Sequence, residues 1–268
     1  MHISSRQNAL YKALLRIVRG KRLSSGPLGQ ISRPVLLEGL HLCEEWLGHQ
    51  GAPLYAIFDE QSLEAERPLQ RLKRQLPDQI SIYMDSALLA SLSHIGASQG
   101  VVFLVSAPHP PAVVSDHISA LWLDRVQDPG NVGTLLRTAA AAGLTVAVLS
   151  EGCARAWSPR VLRSAQGAHF SLHIHEDADL AALARELAMP LYATGLGPDT
   201  VSLYDAVLEA PCVWIAGNEG QGVDADLFAQ AAQVIHIPQD DQVESLNVAV
   251  ATGICLFEQR RRALDRAT

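Results

Sequence analysis

The chain has 268 residues, 48% of them hydrophobic, and a formal net charge of −7. That length supports one or two domains with sizeable cores, and no apolar run approaches the roughly 18 residues of a membrane span. Cys43, Cys153, Cys212 and Cys255 lie far apart with neither zinc nor redox spacing, and no secretory h-region opens the chain, so a reduced cytosolic setting with buried thiols is expected.

The acidic total hides an asymmetry. Residues 1–33 hold Arg6, Lys12, Arg16, Arg19, Lys21, Arg22 and Arg33 and no Asp or Glu, which leaves −14 on the remainder. A basic arm on an acidic body points to a polyanion such as RNA. A solvated helix and an Arg-rich, acid-free mitochondrial transit peptide are the competing readings.

Residues 7–19 read as a helix, with Leu10, Leu14, Ile17 and Val18 on one face and Lys12, Arg16 and Arg19 as a stripe on another. Lys21–Gln30 is linker-like. From Val35 the chain alternates. A short apolar run is followed by a helix over Leu40–Gly48, a strand over Leu54–Phe58 and a charged helix over Leu63–Gln75. A strand over Ile80–Met84, a helix over Ser86–Ser93 and a strand over Val101–Val105 complete a small α/β unit. Three prolines in residues 108–111 continue neither helix nor central strand and mark a boundary.

In the second unit the pattern predicts strands over Ala120–Val126, Val146–Leu149, Ser171–Ile174, Leu191–Thr194, Val213–Ala216 and Val234–Ile237. Helices are predicted over Gly133–Ala142, Pro159–Gly167, Ala178–Ala188, Asp224–Ala232 and Ser245–Arg262. Apolar strands separated by helices predict a mostly parallel sheet covered on both faces.

Three polar or Gly-rich turns follow strands in this unit, where open α/β sheets bind ligands. The first runs from Asp128 to Gly133 and on to Arg137, with Asn131 as the expected N-cap. It lacks the third glycine of the dinucleotide fingerprint and the Gly-Lys-Ser/Thr of a P-loop. A capped helix with a surface arginine is its plain reading. The second runs from Ala216 to Gly222; its glycines expose backbone groups, and Glu219 is its one carboxylate, which could equally serve the helix dipole. The third runs from Ile237-Pro238 to Ser245-Leu246-Asn247. Ser245 suits an N-cap, whereas Asn247 is a poor helix former.

Arg155, Arg160 and Arg163 beside Trp157 form a second RNA-contact candidate, with Trp157 either stacking on a base or packing in the core. His169, His173 and His175 lack the carboxylate or cysteine partners of a convincing metal set, and no metal is expected.

The ordered triple of loops resembles the three motifs of the SpoU (TrmH-type) family of RNA ribose 2′-O-methyltransferases, of the SPOUT class, over residues 118–262. The run Ser-Leu-Asn-Val-Ala-Val-Ala-Thr-Gly-Ile-Cys-Leu-Phe-Glu is especially close. Residues 5–12 resemble the start of two-domain members that modify ribosomal RNA, which makes the transit peptide a weaker reading. The resemblance implies a basic arm over 1–32, a small α/β RNA-binding domain over 33–106 similar to kink-turn-binding ribosomal proteins, a Pro-rich linker over 107–117, and a methyltransferase domain over 118–268. It implies a deep trefoil knot, S-adenosylmethionine as cofactor, a cytoplasmic homodimer and, as substrate, large-subunit (23S) ribosomal RNA. Transfer RNA is the alternative target, and a non-catalytic RNA-binding or assembly protein of the same fold is the alternative class.

Carried over by position, Thr194, Gly195, Ala216, Gly217, Asn218, Gly222, Ile237 and Leu246 bind cofactor, while Asn131, Arg137, Glu219, Ser245 and Asn247 form the catalytic set. Arg6, Lys12, Arg16, Arg19, Lys21 and Arg22 join Arg155, Arg160 and Arg163 as RNA contacts. In this reading Arg137 grips the target phosphate and stabilises developing alkoxide, with Asn131 and Glu219 orienting it. One departure stands out: where many members have Met and then a small residue with Gly, this chain has Gln239-Asp240-Asp241-Gln242.

Overall fold

The computed structural model describes residues 1–21, 26–93, 99–111, 115–197, 199–240 and 242–267. The chain divides into two compact units, Met1–His109 and Pro110–Thr268. The expected contact Arg22, residues 112–114 of the expected linker, and Asp241 fall outside the described residues.

Unit 1 runs β1 (His2–Ile3), α1 (Ala9–Val18), β2 (Pro34–Glu38), α2 (Leu40–Gln50), β3 (Tyr55–Asp59), α3 (Glu60–Ala65), α4 (Arg67–Arg74), β4 (Ser81–Met84), α5 (Ser86–Ala90) and β5 (Val101–Ser106). Its mixed sheet has the order β1-β4-β3-β5-β2, with β5 antiparallel to both its neighbours. The basic segment is not a detached arm. Asn8 Oδ1 caps α1 by accepting the N–H groups of Leu10 (2.9 Å) and Tyr11 (3.2 Å). Leu10, Tyr11, Ala13 and Leu14 then bury against Ile57, Ile82 and Met84 of the sheet and Leu88 and Leu89 of α5. Burial of an apolar helix face is what orders the segment, and its cationic face is left outward.

The single helix expected over Leu63–Gln75 is two. Pro68, in the first turn of α4, has no N–H to give the carbonyl of Glu64, and Glu66 turns to extended backbone (φ −109°, ψ 111°). The freed Glu64 carbonyl accepts the Gln70 side chain instead, at 2.9 Å.

Unit 2 runs β6 (Ala120–Leu123), α6 (Pro129–Ala142), β7 (Val146–Ser150), α7 (Pro159–Ala165), β8 (His173–Ala178), α8 (Leu180–Glu186), β9 (Leu191–Thr194), β10 (Val201–Ser202), β11 (Val213–Ala216), α9 (Ala225–Phe228), β12 (Gln233–His236) and α10 (Val248–Ala267). The sheet order is β10-β12-β9-β11-β6-β7-β8, and every pairing is parallel. Alternation of period two sorts each strand. Leu121, Leu123, Ala147, Leu149, Tyr192 and Trp214 pack under α6, α7 and α10. Ala120, Trp122, Val146, Val148, Val213 and Ile215 pack on the opposite face with Leu180 and Ala184 of α8 and Leu227 of α9. A parallel sheet buried on both faces is what such apolar strands require. Gly133 lets α6 approach α7, since a Cβ there would collide with the Ser164 side chain and the Val161 carbonyl.

His169 and Trp157 pack against each other. His169 is 2% exposed; its Nε2–H donates to the Ala156 carbonyl at 2.7 Å, and its ring lies 4.9 Å from that of Trp157. Trp157 packs against the core beneath α6 and α7, so it is not a free stacking platform. His173 and His175 share one side of β8, and among the described residues neither joins a group of potential metal ligands.

Burial holds the His169 imidazole near a pKa of about 4, well below the ordinary value of 6.5. Its folded-state pKa is depressed, so its contribution to stability is complete above pH 6.5 and is lost as pH falls toward 4. The expected loss by pH 4 is about 3 kcal/mol. Denaturant titrations at pH 7 and pH 4 should therefore show a smaller acid penalty for His169→Gln than for the native chain. Equal penalties would contradict a buried neutral histidine.

Candidate active site

Parallel pairing puts the carboxyl ends of β12, β9, β11 and β6 side by side along one edge of the sheet. The three motif loops leave from β6, β11 and β12, so topology gathers residues more than 100 positions apart. A cavity of about 460 Å³ lies there, within the range of small-molecule sites. Of the expected cofactor residues, Thr194, Gly195, Gly217, Asn218, Gly222, Ile237 and Leu246 line it, and of the expected catalytic residues Glu219, Ser245 and Asn247 do. Ala216 does not line it. It is buried in the core at the end of β11, and its carbonyl accepts the Asp124 N–H at 2.8 Å.

One chain of hydrogen bonds joins the loops. Glu219 accepts the backbone N–H groups of Gln127 (3.3 Å) and Asp128 (3.2 Å) and the Asn131 side-chain amide (3.0 Å). Asn131 Oδ1 in turn accepts the Asn247 amide at 3.0 Å. Asn247 Oδ1 accepts the N–H groups of Ala249 (2.9 Å) and Val250 (3.4 Å), which caps α10. Both asparagines thus have their amide orientation set at each end. Two expectations change. Asp128, not Asn131, caps α6, accepting the Asn131 N–H at 2.8 Å, and the helix begins at Pro129. Asn247, not Ser245, caps α10, which begins at Val248.

Partial desolvation of the exposed Glu219 carboxylate raises its pKa, but the hydrogen bonds from Asn131 and the loop backbone outweigh it, and the net shift is downward. The fastening is therefore complete at neutral pH and is lost only as pH falls below the ordinary carboxylate range.

Behind this chain stands an anchor that residue patterns did not reveal. Asp124 is 4% exposed. It accepts the Arg125 guanidinium (3.2 and 3.0 Å), the Ser150 hydroxyl (3.3 Å) and the Asp224 N–H (2.7 Å). Arg125 adopts a left-handed φ of 53°, and its carbonyl accepts the Asn218 amide at 2.8 Å. Asn218 Oδ1 then accepts the N–H groups of Gly220 and Gln221, both at 2.9 Å. Gly217 admits no side chain, because a Cβ would strike the Gly222–Val223 backbone. Sequence reading also missed His236, Gln239 and Glu244, which line the cavity. The divergent third loop is closed by Gln239, whose amide donates to the carbonyls of Val243 (3.0 Å) and Glu244 (3.3 Å).

Arg137 departs from its expected partners. It lies on the exposed face of α6, outside the cavity lining, and bonds neither Asn131 nor Glu219; no described residue forms a hydrogen bond or ion pair with its guanidinium. Arg155 is engaged by Asp177 at 2.5 Å, whereas Arg160 and Arg163 are exposed on α7.

Removing the Glu219 carboxylate leaves two loop N–H groups and the Asn131 amide without their acceptor. Because Glu219 is exposed, Glu219→Ala should cost only about 1–2 kcal/mol of unfolding free energy. Cofactor affinity, read by calorimetry, should fall at least tenfold. Native affinity in a destabilised variant would mean that the carboxylate does not set the site.

Comparisons with known proteins identify the family. Residues 119–257 match the model of the SpoU rRNA methylase family. An uncharacterised tRNA/rRNA methyltransferase of Synechocystis sp. is 34% identical over 99% of this chain and 96% of its own. The 23S rRNA (guanosine(2553)-2′-O)-methyltransferase of Bacillus subtilis is 32% identical over 84% of this chain and 88% of its own. The crystal structure of an AdoMet-bound rRNA methyltransferase from Sinorhizobium meliloti superimposes with a TM-score of 0.79 at 25% identity, covering 98% of both chains. On the match of the family model and the near full-length relative, this chain belongs to the SpoU family of S-adenosylmethionine-dependent RNA methyltransferases.

Proposed function

We propose that this chain transfers a methyl group from S-adenosylmethionine to a ribose 2′-hydroxyl of structured RNA, with large-subunit ribosomal RNA as the substrate. The observation that carries the reading is the Glu219–Asn131–Asn247 chain beside the cavity. The names of the Bacillus subtilis relative and of its counterparts from Xanthomonas campestris and Nitrosomonas europaea, all 23S rRNA methyltransferases, favour ribosomal RNA.

The cavity suits this cofactor. Glycine walls at 195, 217 and 222 expose backbone groups, and Ile237 and Leu246 give apolar surface. Glu219 and Glu244 are carboxylates in a lining that contains no Lys or Arg among the described residues, which fits a ligand carrying a sulfonium. Thr194, Gly195, Gly217, Asn218, Gly222, Ile237 and Leu246 would hold it. Once bound, it supplies a methyl on an already activated leaving group, so the protein's task is alignment and removal of the hydroxyl proton.

Alignment can supply about 7–11 kcal/mol of the barrier. Ser245 and Asn247 sit where they can position the nucleotide against the cofactor. Arg137, without a side-chain partner among the described residues, is available to grip the target phosphate and to stabilise the alkoxide as it forms. A guanidinium stays protonated, so the phosphate or solvent takes the proton. Asn131 and Glu219 act on the loop carrying α6 rather than on Arg137 itself.

The finer architecture follows the same reading. The C-terminal segment from Ile237 into α10 forms the trefoil knot, and unit 1 serves as the RNA-binding domain of a cytoplasmic enzyme. No helix of the described residues is long and apolar enough to cross a membrane. A second copy covers α10, where Val250 and Phe257 are exposed and Ile254 is half-buried at i, i+4 and i+7. Phe257→Glu should shift sedimentation of the native dimer to monomer; an unchanged profile places the interface elsewhere.

Ribose methylation mapped by resistance to alkaline cleavage tests the reaction, since a methylated 2′-oxygen cannot attack its own phosphate. Deleting the gene should remove protection at one ribosomal RNA nucleotide. The intact gene should restore it and Arg137→Ala should not, while Arg137→Lys should restore little because the bidentate grip is lost. Full restoration by Arg137→Ala would remove Arg137 from the mechanism, and protection lost only from transfer RNA would reassign the substrate.

A further inference from the structure

The break before α4 has a consequence for RNA. It separates the acids Glu60, Glu64 and Glu66 from a helix whose only charges are Arg67, Arg71, Lys73 and Arg74. Leu69 and Leu72 bury the inner side of α4. Lys73 is engaged by Asp78 at 2.7 Å. Arg67, Arg71 and Arg74 are exposed, and among the described residues their side chains have no hydrogen-bond or ion-pair partner. They recur at i, i+4 and i+7, the spacing at which Lys12, Arg16 and the C-cap residue Arg19 recur along α1. Each stripe extends about 10 Å along its helix.

The two stripes lie over opposite faces of one sheet. Ile57, Ile82, Met84, Val102 and Leu104 point to the side covered by α1 and α5. Strand alternation sends the neighbouring Ala56, Phe58, Val101 and Phe103 to the other side. There α2 packs on β2 and β5, α4 packs on α2, and Leu69 of α4 reaches Gly100 just before β5.

We propose that unit 1 grips RNA on both faces, with α4 a second backbone-docking surface that holds a different RNA segment from the one held by α1. The inference rests on the RNA-modifying reading above and adds a bipartite substrate to it. Free arginines spaced along a helix are suited to phosphates of a folded RNA, which is recognised through shape and backbone rather than through its deep major groove. On a chain of net charge −7, a stripe of three cations with no partner among the described residues attracts a polyanion.

The test uses the full-length chain and purified, deproteinised 23S ribosomal RNA. One variant carries Arg67→Gln, Arg71→Gln and Arg74→Gln, and another carries Lys12→Gln, Arg16→Gln and Arg19→Gln. A third replaces the α4 arginines by Lys. The α4 Gln variant should keep its circular dichroism and its S-adenosylmethionine affinity. Its RNA affinity should fall about tenfold or more, with a log–log salt slope shallower by about two. The Lys variant should recover most of that loss. In hydroxyl-radical footprints, the α1 and α4 Gln variants should lose protection at different nucleotides. Native affinity and slope in the α4 Gln variant would overturn the proposal, as would loss of the same nucleotides in both. These outcomes separate from the underlying reading: a native chain that binds this RNA through α4 yet methylates none leaves the inference standing and removes the reaction.

Discussion

The carboxylate of Glu219 is the constraint on which the rest of the site depends. It is the one acceptor for two backbone N–H groups ahead of α6 and for the Asn131 amide, at 3.2–3.3 and 3.0 Å. Apart from the Asn218 amide on the Arg125 carbonyl at the base of the turn, it is the side-chain link between the first and second loops among the described residues. With it, Asn131 presents its oxygen to Asn247, and the cap of α10 becomes part of the same network. Hydrogen bonds to a charged acceptor are individually modest in an exposed setting. Their value here lies in fixing three loops relative to one another, because a small misplacement of reacting groups costs far more in rate than in stability.

Two further features explain why the carboxylate is in place. The parallel sheet brings the carboxyl ends of β6, β11 and β12 to one edge, so no long-range fold rearrangement is needed to assemble the site. Asp124 then holds the base of the second loop. It is buried yet satisfied by a guanidinium, a hydroxyl and a backbone N–H, which is the condition under which a buried charge is tolerated. Through Arg125 and Asn218 it fixes the turn from which Glu219 projects. The left-handed backbone of Arg125 is local strain of the sort that accumulates where geometry serves a site.

Much of this was legible in the sequence, and what was not has physical reasons. Apolar strands separated by helices pointed to the parallel sheet of unit 2, and the polar or Gly-rich turns after β6, β11 and β12 pointed to the end of the sheet where the cavity lies. Helix starts were misread at Asn131 and Ser245, because several residues near each start can cap and only geometry selects among them: Asp128 and Asn247 accept the bonds. Asp124 was invisible because a lone acid after an apolar strand carries no pattern; its partners Ser150 and Asp224 are distant in sequence. The split between α3 and α4 was written in Pro68 but was masked by continuous helical periodicity across 63–75. The basic segment read correctly as a helix and wrongly as an arm, since its apolar face finds a core that lies elsewhere in the chain.

The central claim is that the three loops act as one unit. A double-mutant cycle on S-adenosylmethionine affinity tests it, with Glu219→Ala, Asn247→Ala and the pair measured by calorimetry. Glu219 and Asn247 do not bond each other; they meet only through Asn131. The account predicts a coupling of about 1 kcal/mol or more between them, with the second substitution costing much less than the first. Strict additivity of the two losses would show that the loops bind cofactor independently and would contradict the account.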